Sequence, residues 1–119
     1  MITEDYVSLE VAKLLKEKGF DEPTTKSYYT EGFENPMIFS HDLLPCIQTD
    51  EFLCPTLQMA MKWLREVHNL HIVVFHYDNS AFPYIWYIFA HNGDKPHKAN
   101  SYEQACEAAI KYCLENLIK

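Results

Sequence analysis

The sequence predicts an α+β domain of two layers, a mainly antiparallel sheet with three helices, in the order α-β-β-α-β-β-α. Three observations carry this reading. Three segments repeat apolar residues at helical spacing, and each has a helix start or stop signal at its end. Short β-branched and aromatic runs lie between them in pairs, separated by turn residues. With 119 residues, 48% of them apolar, the chain is long enough to bury a core as one domain, 1–119, without staples. Pairs of strands between helices favour an antiparallel sheet covered by helices.

The first helix is expected over residues 7–19. Ser8 is its N-cap, Glu10 lies in its first turn, and Val11, Leu14 and Leu15 form the apolar stripe. Gly19 is expected to end it as a C′ residue, with Phe20 folding back. Residues 21–54 are the hardest to read. Lys26 to Thr30 fits one strand and Met37-Ile38-Phe39 its hairpin partner, with Gly32 and Asn35-Pro36 as punctuation. Leu43 to Phe52 reads as irregular.

A second helix is expected over 55–68, with Pro55 at its first position and Leu57, Ala60, Met61, Leu64 and Val67 along one face. Asn69 is its expected C-cap. Residues 71–78 and 84–91 then read as a hairpin around Asp78-Asn79-Ser80, with Pro83 tolerable at a strand start. Asn92-Gly93-Asp94 reads as a turn. Ser101 and Gln104 form a capping box for a last helix from about Tyr102 to Ile118. Its apolar face is expected to hold Ala105, Ala109, Tyr112, Cys113 and Leu117.

Charge and cysteine usage narrow the function classes. The formal net charge is −7, with ten Lys and Arg against seventeen Asp and Glu. Such a balance disfavours non-specific binding to nucleic acid or anionic membranes, which needs concentrated cations. A nucleic-acid site would have to be assembled from Lys13, Lys16, Lys62 and Arg65. No apolar run approaches a membrane-spanning length. The four cysteines are Cys46, Cys54, Cys106 and Cys113. Cys106 and Cys113 are about 10 Å apart along one helix, too far to bridge. The acidic start at Ile2-Thr3-Glu4-Asp5 does not resemble a signal peptide. Reduced thiols in a cytoplasmic protein are therefore expected.

Three blocks also look familiar. They are residues 8–20 (SLEVAKLLKEKGF), 54–68 (CPTLQMAMKWLREVH) and 101–114 (SYEQACEAAIKYCL). Together they resemble short proteins encoded in phage, prophage and mobile-element regions of Bacteroides-type bacteria. The resemblance implies an intracellular, phage-associated setting and carries no activity.

Several chemistries can be weighed on the residues. Cys54, His68 and His71 are the tightest grouping of possible metal ligands, but their spacing does not match a zinc site. No metal and no cofactor is expected. Cys54, just before Pro55 at the positive end of a helix, could serve a small hydrolase as nucleophile. The alternative is that it simply occupies the helix start. Glu103 and Glu107 share a helix face, which fits a solvated surface completed by Lys111. No catalytic residue is assigned, and a non-enzymatic role is expected.

The hairpin at 71–91 is the most informative feature. A turn at Ser80-Ala81 would pair Tyr77 with Tyr84, Phe75 with Trp86 and Val73 with Ile88 on one face. Ile72 with Phe89, Val74 with Tyr87 and His76 with Ile85 would make the other. Both faces are apolar, whereas a sheet covered on one side alternates apolar with polar. Either helices cover both faces, or one face meets another chain. The latter makes Phe75, Tyr77, Tyr84 and Trp86 the protein-interaction candidates. A small protein-binding or self-associating domain is thus the expected function, with a protein partner or homodimer. A nucleic-acid-associated accessory protein is the alternative.

Overall fold

The computed structural model describes residues 4–22, 24, 26–29, 37–40, 51–77, 81–89 and 96–118. It is an α+β structure with mainly antiparallel sheet and three helices. The elements are α1 (Leu9–Glu17), β1 (Lys26–Tyr29), β2 (Met37–Ser40), β3 (Glu51–Leu53), α2 (Leu57–His68), β4 (Ile72–His76), β5 (Tyr84–Ile88), β6 (His97–Ala99) and α3 (Tyr102–Tyr112). A π-helical turn, Cys113–Leu117, extends α3. The order follows the expected one with two short strands added, β3 and β6. The expected turns at Gly32, Asn35-Pro36, Asp78-Asn79-Ser80 and Asn92-Gly93-Asp94 lie outside the described residues, as does Cys46.

The chain divides into two compact units, Met1–Thr56 and Leu57–Lys119. In the first, α1 starts where its cap chemistry places it. The Ser8 side chain accepts from the Val11 N–H at 3.3 Å. It stops at Gly19, whose φ of +93° lies in the left-handed region. There the Gly19 N–H donates to the Lys16 carbonyl and the Phe20 N–H to the Leu15 carbonyl, closing a Schellman motif. Val11, Ala12, Leu15 and Phe20 are buried. A three-stranded antiparallel sheet runs in the order β2-β1-β3, and α1 packs on β3. Lys13 and Lys16 of α1 hold their ammonium groups 5.6 and 4.8 Å from the centre of the Phe52 ring.

Helix α2 begins at Leu57, two residues later than Pro55. The Pro55 carbonyl instead accepts from the Val7 N–H at 3.1 Å, and Thr56 bridges Tyr6. Those contacts hold Pro55 and Thr56 in extended backbone ahead of the helix. At the other end Asn69 takes φ +54°, and the Leu70 N–H returns to the Leu64 carbonyl. Asn tolerates this conformation better than most residues, so it terminates the helix.

The second unit is a β4-β5-β6 antiparallel sheet with α3 across β4 and β5 and α2 beside α3. Ser101 caps α3 by accepting from the Gln104 N–H at 3.1 Å. The buried side of α3 and its π-helical extension holds Ala105, Cys106, Ala109, Ile110, Cys113 and Leu114. Cys106, Ile110 and Leu114 thus replace Tyr112 and Leu117, which are only half-buried. Small residues at 105 and 109 let the helix backbone approach the sheet closely.

The hairpin register corrects the expected one by a single residue. Ile72 faces Ile88, Val73 faces Tyr87, Val74 faces Trp86, Phe75 faces Ile85 and His76 faces Tyr84. The Tyr77 N–H extends the ladder to the Pro83 carbonyl at 2.6 Å. A shift of one residue turns every side chain of β4 to the opposite face relative to β5. Ile72 and Val74 therefore join Trp86 and Ile88 toward the helices, and Phe75 points away from them.

Candidate functional site

Alternation along the paired strands sorts the candidate residues into two sets. The inner face carries Ile72, Val74, His76, Tyr84, Trp86 and Ile88, continued on β6 by His97 and Ala99. Trp86 is only 5% exposed. Its ring stacks on His97 at 4.2 Å between centroids and meets Tyr112 at 5.9 Å. Tyr84 stands edge-on to His76 at 5.3 Å and to Tyr102 of α3 at 6.1 Å. Two of the four interaction candidates, Tyr84 and Trp86, thus face the unit's own helix. The structure does not bring them together with the other two.

Phe75 and Tyr77 lie on the outer face with Val73, Ile85, Tyr87 and Phe89. Phe75 is 42% exposed, Tyr77 49% and Phe89 58%. Phe75 and Tyr87 meet edge-to-face at 6.4 Å. Lys98 of β6, opposite Ile85, sits at the margin of this face. Phe89 belongs to the set although sequence reasoning paired it with Ile72. The error in register, not the composition, concealed it.

The rest of the predicted chemistry is dispersed. Cys54 is fully buried, and its thiol donates to the Val7 carbonyl at 3.6 Å. Cys106 and Cys113 are also fully buried free thiols. Burial pushes the Cys113 thiol up to about 12. Burial likewise raises Cys106, opposed by a hydrogen bond with Tyr102 and reinforced by the carboxylates of Glu103 and Glu107. These shifts hold both thiols protonated at neutral pH. His71 contacts the Asn69 side chain at 3.0 Å, and His68 stands edge-on to Trp63 at 4.8 Å. Among the described residues no three His, Cys, Asp or Glu gather as metal ligands. Nor is any described helix long and apolar enough to cross a membrane.

Described residues line two depressions of the surface. One, of about 160 Å³, lies in the first unit between Ala12, Lys16, Phe20, Asp21 and Leu53. The other, of about 300 Å³, runs between α2 and β4, an edge strand among the described residues. Neither exceeds the lower end of the size range of small-molecule sites. The chain matches no family model, and comparison with curated proteins and with solved structures finds no significant match.

Proposed function

We propose that this chain is a non-enzymatic, self-associating protein whose contact surface is the outer face of the β4-β5-β6 sheet. The observation that supports it is the composition of that face. Phe75, Tyr77 and Phe89 each leave about half their surface in water. At about 200 Å² per aromatic side chain, these three alone expose about 300 Å² of aromatic surface. Two copies meeting about a two-fold axis would bury twice that area. Val73, Ile85 and Tyr87 would bring the total toward the small end of specific interfaces, about 1,200 Å². A second copy suits the face on charge as well. The chain carries −7, yet the alternate positions on this face hold no acidic residue, so two such faces meet without carboxylates opposed.

Sedimentation equilibrium tests the reading. The wild-type chain is expected to show a concentration-dependent monomer–dimer equilibrium. Phe75→Ser together with Phe89→Ser is expected to weaken it by about 30-fold or more, the scale of losing one hot-spot side chain. A strictly monomeric wild-type chain at millimolar concentration, or a dimer indifferent to both substitutions, would sink the proposal.

A further inference from the structure

Strand β4 lies at the edge of its sheet among the described residues. Its hydrogen-bonding phase follows from two flanking bonds, Tyr77 N–H to the Pro83 carbonyl and Phe89 N–H to the His71 carbonyl. Alternation then directs the peptide groups of Val73 and Phe75 toward β5. The N–H and C=O of Ile72, Val74 and His76 point the other way, off the sheet. Such an edge is a template for another strand unless it is covered or charged. β4 contains no Pro, Lys, Arg, Asp or Glu.

That free edge forms one wall of the 300 Å³ groove, through Ile72, Val73 and Val74. The opposite wall is α2, through Gln58, Met61 and Arg65. Spacings of three and four residues put these on one helix face. Seven residues of helix span about 10.5 Å, and three residues of an extended strand span about 10 Å. The helix wall therefore matches a short stretch of added strand. At one end Gln58 donates to the Tyr102 hydroxyl at 3.2 Å. At the other stands Arg65, the sole charged residue lining the groove among the described residues. Its ion-pair contact, to Glu66 at 3.8 Å, joins two well-exposed side chains and is a weak competitor.

We propose that this groove binds an extended peptide by strand addition to β4, with a carboxylate of the peptide held by Arg65. Backbone bonds to Val74 supply the pairing, Met61 packs against one side chain, and Arg65 selects an acidic residue at the Ile72 end. A second copy of the chain does not suit this edge. Antiparallel pairing of two β4 strands about Val74 would set α2 beside α2 and turn Arg65 toward the other copy's Gln58 end, where no carboxylate lines the groove among the described residues. This site shares Val73 with the outer face but none of its exposed aromatic side chains, and it does not depend on the self-association.

Selection of random displayed decapeptides on the full chain, followed by ¹⁵N NMR with an enriched synthetic peptide, tests it. Enriched sequences are expected to alternate β-branched or aromatic residues and to share one Asp or Glu. Arg65→Glu, on an exposed helix position, is expected to lower their affinity by about tenfold or more. Exchange of the Ile72 and Val74 amides is expected to be fast in the free chain and slow in the complex. The Val73 and Phe75 amides should be slow in both. Failure to enrich any peptide would overturn the proposal, as would enriched peptides indifferent to Arg65→Glu. So would a Val74 amide that is already protected in the free chain, or that stays unprotected in the complex.

Discussion

Gly19 and the buried thiols show how single residues set local energetics. A Cβ built on Gly19 meets nothing within 4 Å, so no clash would arise there. The cost of a side chain lies wholly in the backbone, held at φ +93° by the Schellman bonds of Phe20 and Gly19. Gly19→Ala is therefore expected to destabilise the chain by about 1–2 kcal/mol, read by urea denaturation, and Gly19→Asn by less. The thiols make a different prediction. Cys54, Cys106 and Cys113 should resist alkylation in the native state of a Cys46→Ser chain and react only on unfolding. Fast labelling of Cys54 would restore it as a nucleophile. For Cys113 the sign of the pH effect is fixed. Its folded pKa of about 12 lies above the ordinary thiol value of 9.0. The unfolded chain thus loses this proton first, and stability present below pH 9 is lost as pH rises toward 12. The fall in Tm over that range should be steeper for wild type than for Cys113→Ala.

At the level of elements, helix ends were legible in the sequence and strand register was not. Ser8, Gly19, Asn69 and Ser101 act locally, through bonds to residues at most six positions away, so their side chains announce them. The hairpin partners were legible too, since β-branched and aromatic runs flank the turn. Register was not, because β4 is apolar on both alternations, and pattern alone cannot choose between them. The choice is made by the packing of Trp86 and Ile88 beneath α3, which draws in Ile72 and Val74 and leaves Phe75 in water. The short strands β3 and β6 were also hidden. Glu51-Phe52-Leu53 and His97-Lys98-Ala99 are three residues each and pair only because a neighbouring strand is already in place. The sheet's two faces predict opposite responses to truncation. Trp86→Ala removes a buried ring stacked on His97 and should cost about 3–5 kcal/mol in chemical denaturation. Phe75→Ser should leave monomer stability within about 0.5 kcal/mol and act only on association. Equal destabilisation by the two would mean that the outer face is as well packed as the inner one.

For the whole molecule, the balance between a net charge of −7 and a contact face that carries no carboxylate decides how association responds to salt. Two copies repel each other through their summed charge, while the outer face of the second sheet attracts by apolar burial. Added salt screens the first and leaves the second intact. The screening length falls from about 10 Å at 0.1 M to about 3 Å at 1 M. Self-association by this face should therefore tighten as sodium chloride is raised from 0.05 to 0.5 M, with a dimer dissociation constant lowered severalfold in sedimentation equilibrium. A nucleic-acid-associated role demands the reverse, because phosphate binding releases counterions and weakens steeply with salt. Two of the four cations named for it, Lys13 and Lys16, lie over the Phe52 ring. Parallel titration with a labelled single-stranded oligonucleotide over the same salt range separates the two roles. Dimerisation that strengthens with salt, with no oligonucleotide binding at 0.05 M, is the expected result. Oligonucleotide binding that fades with salt, in a chain monomeric throughout, would transfer the function from the aromatic face to the lysines.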